Sequence, residues 1–167
     1  MVRFKNRYLL CEIVFDSPRH RQCIEERAIM TTVRDVLARI HGDYGVGCCT
    51  VSLAVKYLNA YTGIVLLRCR REFYQMLWSI IPFITTIESK HQRYPCIFHT
   101  LHVGATIRTC QKFLIQYNRR QLMLLLRNCS TEEERVSVTR EVQSCSLKEL
   151  EKDQSEEEDD YMDTDSD

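Results

Sequence analysis

A chain of 167 residues is long enough for one domain with a real core. Its 44% hydrophobic content, with only five glycines and three prolines, sets it apart from low-complexity and collagen-like sequences. The 23 Lys/Arg and 23 Asp/Glu cancel unevenly: residues 1–148 carry 22 cations and 12 anions, a balance of +10, and residues 149–167 carry one Lys and 11 Asp/Glu, a balance of −10. A cationic body with an anionic tail points towards nucleic acid or another polyanion.

The longest apolar stretch, "MLWSIIPFITTI", is about half the length of a membrane-spanning helix and contains Pro82, so no membrane partner is expected. Nine cysteines form no CxxC pair and sit mostly within apolar runs, where a free thiol behaves as a small hydrophobe. Together with the lack of a cleavable apolar leader, they imply reduced thiols in a soluble intracellular protein.

"VRFKNRY" at the start alternates cations Arg3, Lys5 and Arg7 with aromatics, a pattern suited to phosphate contact and base stacking, or to a free basic end. "RYLLCEIVF" (7–15) is a strand. "DSPRH" then supplies Asp16 or Ser17 as a helix cap with Pro18 in the first turn. Ile29, Val33, Val36, Leu37 and Ile40 recur at helical spacing up to Gly42, and "GDYGVG" follows as a loop. "CCTVSLAVKYL" alternates, which puts Val51, Leu53, Val55 and Tyr57 on one face of a second strand.

"NAYTG" is a hairpin turn and "IVLLRCR" the returning strand, from whose end Arg68 and Arg70 project together with Arg71 beside them. "REFYQMLWSII" is a short helix stopped by Pro82. "ESKHQRYP" is a loop leading to the last strand, "CIFHTLHVGATI", and the final helix runs to about Asn128. The order β-α-β-β-α-β-α is the split βαβ, ferredoxin-like pattern shared with RNA-recognition motifs. It predicts an α+β fold: an antiparallel sheet with helices on one face and an added C-terminal helix. Domain edges are expected near residues 130 and 148, with a weakly patterned, helix-compatible extension over 131–148 and an acidic tail over 149–167.

On the final helix, Cys110, Phe113, Leu114, Tyr117, Leu124 and Leu125 gather on an apolar face expected to be core. Arg108, Lys112, Arg119 and Arg127 gather opposite, with Arg120 at the edge of the stripe. Charged helix faces are commonly just solvated. Such a face ordinarily interleaves Glu with Lys, however, and residues 89–131 contain no Asp or Glu at all. The uniform sign favours an external polyanion.

Enzymatic signatures are missing. Strand three lacks the stacking aromatics of an RNA-recognition motif, so binding through phosphates and shape is expected instead of base readout. Cys96, His99 and His102 recur every three residues, which in a regular strand alternates faces and argues against a metal site. Cys48 and Cys49 also point to opposite faces of a strand. Asp16, Asp35, Asp43 and His41 have no spacing that requires an acid–base site; Asp16 and His41 suit helix ends.

"MVRFKNRYLLCEI", "VKYLNAYTGIVLLRCRREFYQMLWSIIPFIT" and "RYPCIFHTLHVGATIRTCQKFLIQYNRRQL" closely resemble the Pop-five subunit family of eukaryotic ribonuclease P and RNase MRP. The likeness spans most of residues 1–125 and fades along the first helix; where this chain has Gly104-Ala105, the family tends to have a double glycine. The resemblance implies a non-catalytic protein subunit of an RNA enzyme, with magnesium held mainly by the RNA and no cofactor bound by the chain. It implies precursor tRNA as substrate of one particle and precursor rRNA of the other. Implied partners are the ribonuclease P and MRP RNAs, a TIM-barrel-like subunit, a paralogous small subunit and a large scaffold subunit, in the nucleus and nucleolus. Two alternatives are a protein-interaction scaffold without RNA contact and a stand-alone nuclease. In the tail, Ser155 precedes three glutamates, a setting that favours phosphorylation.

Overall fold

"NRYLLCEIVF" has alternating core residues and forms β1 (Asn6–Phe15), with Leu9, Cys11, Ile13 and Phe15 buried on one face. The computed structural model describes residues 5–17, 19–20, 24–90, 92–128, 135–137 and 139–140. The chain divides into two compact units, Met1–Gln111 and Lys112–Asp167. Arg3, Pro18, Ser155 and the acidic tail lie outside the described residues.

After β1 come α1 (Glu26–Thr50), β2 (Ala54–Asn59), β3 (Ile64–Arg70), α2 (Tyr74–Ile80) and a 3-10 turn (Ile81–Phe83). β4 (Thr86–Ser89), β5 (Gln92–Gly104) and α3 (Ile107–Asn128) complete the order. The strands lie in the order β2-β3-β1-β5-β4, every pair antiparallel. β1 and β2 thus flank β3 as a split βαβ unit requires, with β5 on the other side of β1. The expected α+β, ferredoxin-like fold is present, with β4 as an extra edge strand.

The core lies between one sheet face and the helices. Leu9, Cys11, Ile13, Val65, Leu67, Cys69, Cys96 and Phe98 meet Ile29, Val33 and Leu37 of α1 and Leu77 and Ile80 of α2. Each fully buried aliphatic side chain contributes about 1.5–3 kcal/mol relative to exposure.

Several local expectations are corrected. α1 begins at Glu26 with an extended Glu25 before it, not at Asp16–Ser17, and no side chain caps it. Helical apolar spacing starts only at Ile29, close to where the helix begins. Gly42 does break the helix, at φ +63°, but helix resumes to Thr50 through "GDYGVG", where a loop was expected. The resumed segment buries Gly45 and Cys49, four residues apart on one helical face. Cys48 and Cys49 are therefore helical, the first half-buried and the second buried. β2 is correspondingly short. Val51 and Leu53 fall before the strand, 71% and 6% exposed, and within it a bulge between Val55 and Tyr57 breaks the alternation, leaving Tyr57 46% exposed.

Two further corrections concern β4 and α3. The expected loop "ESKHQRYP" instead closes a β4–β5 hairpin through Lys90 at φ +51°, with Ile87 and Tyr94 paired and buried. Along α3, Cys110 is buried and Phe113, Leu114 and Tyr117 are half-buried, but Leu124 and Leu125 are 45% and 53% exposed. The apolar face expected to be core is thus not covered at its distal end.

Two glycines give opposite predictions. A Cβ on Gly63, at φ +74°, would lie 2.4 Å from the Ile13 carbonyl oxygen, whereas one on helical Gly47 meets nothing within 4 Å. Gly63→Ala should lower unfolding free energy in urea by about 2–4 kcal/mol, and Gly47→Ala should raise it by about 0.5–1 kcal/mol.

Burial also pushes the Cys11 and Cys96 thiols up, each from 9.0 to about 12. The folded state then holds these protons more tightly than the unfolded state. Their contribution to stability is complete below pH 9 and is lost as pH rises from about 9 towards 12. Urea midpoints should fall over that window, and a Cys11→Ala, Cys96→Ala variant should lose part of the fall.

Candidate nucleic-acid interface

The antiparallel register brings the start of β1 and the ends of β3 and β5 to one end of the sheet. Asn6 faces Arg70, Arg7 faces Cys69, and Tyr8 lies between Arg68 and Gly104. Because directly opposed residues share a face, Arg68, Arg70, Tyr8 and Asn6 project from the side away from the core. Arg7 takes the other face. The Arg71 N–H donates to the Lys5 carbonyl at 2.8 Å, which extends the ladder by one pair and brings both residues to the same rim.

Ser52 locks this corner. Its hydroxyl accepts the Arg70 backbone N–H at 2.8 Å, and its carbonyl accepts Arg68 Nε at 3.3 Å. One guanidinium edge is thereby fixed while the remaining N–H groups stay available for a planar acceptor. Sequence reasoning missed Ser52. The only signal was a hydroxyl residue in the connection before a strand, too common to single out.

Arg108 enters the same unit from the first turn of α3, which starts just beyond Gly104. The turn is closed by a reciprocal threonine cap: Thr109 N–H donates to Thr106 Oγ1 at 3.2 Å, and Thr106 N–H donates to Thr109 Oγ1 at 3.3 Å. Below it, the Cys110 thiol donates weakly to the Tyr8 carbonyl at 3.7 Å. Lys5, Arg7, Arg68, Arg70, Arg71 and Arg108 are thus assembled by backbone pairing and a short turn at one sheet end. Among the described residues, no carboxylate forms an ion pair with Lys5, Arg7, Arg68 or Arg71.

The second unit holds the remaining cations. Lys112, Arg119, Arg120 and Arg127 are all exposed along α3, and no described carboxylate pairs with any of them. Arg3 lies outside the described residues.

The sheet face bearing Arg68 and Arg70 is not an open platform. Leu10, Ile64 and Leu66 at its centre are 2%, 5% and 4% exposed, so flat stacking of bases along β3 has no surface to use. Phosphate contact at the rim is the chemistry this arrangement offers.

The histidine expectation needs correction. Cys96 points into the core, opposite Phe15, while a bulge between Leu10 and Cys11 in the β1–β5 ladder puts His99 and His102 on the same face, opposite Glu12 and Leu10. Among the described residues, no three His, Cys, Asp or Glu side chains gather in a metal-binding group. Cys49 and Cys69 interact in the core: the Cys49 thiol is pushed up by its hydrogen bond to Cys69 and by burial, and Cys69 is pulled down by the same bond.

Comparison with known proteins identifies the family. The model of the Rpp14/Pop5 family matches residues 7–115, which include all of the sheet except Asn6, together with the first turns of α3. The human protein named ribonuclease P/MRP protein subunit POP5 is 62% identical over 152 residues, covering 90% of this chain and 93% of its own. The cattle protein of the same name is 62% identical over 150 residues, covering 89% and 88%. A chain in the cryo-EM structure of yeast ribonuclease MRP aligns with a TM-score of 0.47 at 13% identity, covering 74% of this chain and 98% of that one. With a family match over residues 7–115 and relatives this similar along nearly their full length, the chain belongs to the Rpp14/Pop5 family.

Proposed function

We propose that the chain is a non-catalytic protein subunit of ribonuclease P and RNase MRP that stabilises the RNA core by neutralising closely packed phosphates. The observation that carries this reading is the set of cations at the end of the β1–β3 pair, tied to one another through main-chain pairing, of which Lys5, Arg7, Arg68 and Arg71 have no carboxylate ion-pair partner among the described residues. Like charges fixed close together repel one another, and an external polyanion offsets that cost. Family membership supplies the particle: relatives sharing 62% of their residues are named as subunits of both enzymes.

On this reading the RNA performs the cutting and holds most of the magnesium. Precursor tRNA and precursor rRNA are substrates of the particles, and the chain works in the nucleus and nucleolus.

A second surface supports protein contacts alongside. Ile40 and Tyr44 of α1 and Trp78 and Phe83 beside α2 are 38%, 69%, 52% and 55% exposed. Arg39 Nη2 donates to the Phe83 carbonyl at 3.3 Å, and His41 Nε2 and Ser79 Oγ lie 2.8 Å apart, so the two helices present these side chains as one bridged patch. Aromatic, apolar surface of this kind suits a neighbouring protein subunit, whether TIM-barrel-like, paralogous or scaffold, better than RNA.

The test is a reconstituted particle assayed across a salt series. Lys5→Ala with Arg71→Ala, and separately Arg119→Ala with Arg120→Ala, should each reduce the slope of log affinity against log salt by about 0.7–0.9 for every phosphate contact removed. The rate of precursor tRNA cleavage at limiting protein should fall with them. Unchanged slopes and rates would make the chain a protein scaffold without RNA contact. In that case residues 108–127 would crosslink to protein and not to RNA.

A further inference from the structure

The second unit contains a basic helix face and, in the same unit, a polyanion. Lys112, Arg119, Arg120 and Arg127 recur along α3 at helical spacing, so they share one side over a rise of about 22 Å. All four are exposed and none has a carboxylate partner among the described residues. Residues 149–167 carry 11 carboxylates against one lysine, five of them consecutive from Glu156 to Asp160. Along an extended chain consecutive carboxylates advance about 3.4 Å per residue and alternate sides, so those facing one way recur about every 7 Å. One strand of a nucleic-acid duplex carries one charge per about 3.4 Å of axis, so the tail offers a comparable linear density of negative charge.

Chain length permits the two to meet. The 20 residues 129–148 join the end of the helix to the tail; with residues 135–137 and 139–140 helical they reach up to about 60 Å, more than twice the length of the basic face. A tether of this kind presents the tail at an effective concentration of about a millimolar.

We propose that residues 149–167 occupy the basic face of α3 in the free chain as an internal stand-in for RNA, and that RNA displaces them on binding. The inference rests on the reading of that face as an RNA contact. Its consequence is selectivity: RNA offering only a few phosphate contacts does not outcompete the tail, whereas RNA that engages both units does.

The experiment uses the purified full chain and two probes. A water-soluble carbodiimide, which joins carboxylates to amines in contact, should link a peptide within 149–167 to Lys112, and an excess of ribonuclease P RNA should abolish the link. In parallel, the variant Glu156→Gln, Glu157→Gln, Glu158→Gln, Asp159→Asn, Asp160→Asn should bind an unrelated RNA hairpin about tenfold more tightly than the natural chain at about 50 mM salt, and equally at about 500 mM. A missing crosslink overturns the proposal, and so does an affinity left unchanged by neutralising the tail. The underlying reading is tested separately by adding Arg119→Ala and Arg120→Ala to the neutralised variant. If hairpin affinity then stays the same, the helix face is not an RNA contact, whatever the crosslink reports.

Discussion

Two-sided pairing of β1 is the constraint on which the rest of the first unit depends. β1 is hydrogen-bonded to β3 on one side and β5 on the other, with Leu9, Cys11 and Ile13 buried beneath the helices. A slip of one residue against either neighbour would turn those side chains to the opposite face and bring Leu10 and Glu12 into the core, so the register is strongly fixed. Everything at the cationic end inherits that precision. The main-chain ladder decides which arginines become neighbours, and long flexible side chains only adjust the last few ångströms.

This division of labour bears on how charge is held. Surface cations on independent flexible stems lose considerable rotamer freedom when they meet a phosphate. Here part of that freedom is already lost on folding for Arg68, whose Nε donates to the Ser52 carbonyl, while the Ser52 hydroxyl accepts the Arg70 main-chain N–H and fixes the strand end. The protein's own stability covers the cost of aligning like charges, through a core unrelated to them. A single serine between helix and strand thus joins the packing of the fold to the electrostatics of its rim.

Much of the fold was legible because it follows from local composition and periodicity. Apolar and aromatic richness marks β1, the hairpin turn marks β3 as the returning strand, and the 3.6-residue repeat marks the first part of α1 up to Gly42, where the helix breaks without ending. What escaped was decided by tertiary partners. Helix resumes after Gly42 because Gly45 and Cys49 find the core, which local glycine chemistry opposes. β4 was invisible because its segment is short and its partner strand contains Pro95, normally a mark against a strand. The exposed Leu124 and Leu125 show the converse: spacing marks an apolar face without saying that anything covers it. The candidate cations were legible by sign alone. Their assembly was not, since neither the β1–β3 register nor the bulge that aligns His99 with His102 can be seen without the ladder.

The close fit at Gly104 has a mechanical consequence. A Cβ there would lie 2.6 Å from both Cys110 Sγ and Thr109 Oγ1, so the strand backbone packs directly against side chains of the first turn of α3. Such a joint has little play. The first turn of α3 cannot rotate about the strand end without breaking the threonine cap or colliding with the backbone, and Arg108 therefore keeps a set distance from the β1 terminus. On the proposed reading of this corner as a phosphate contact, its fixed width makes the spacing of the negative groups brought to it matter as well as their number.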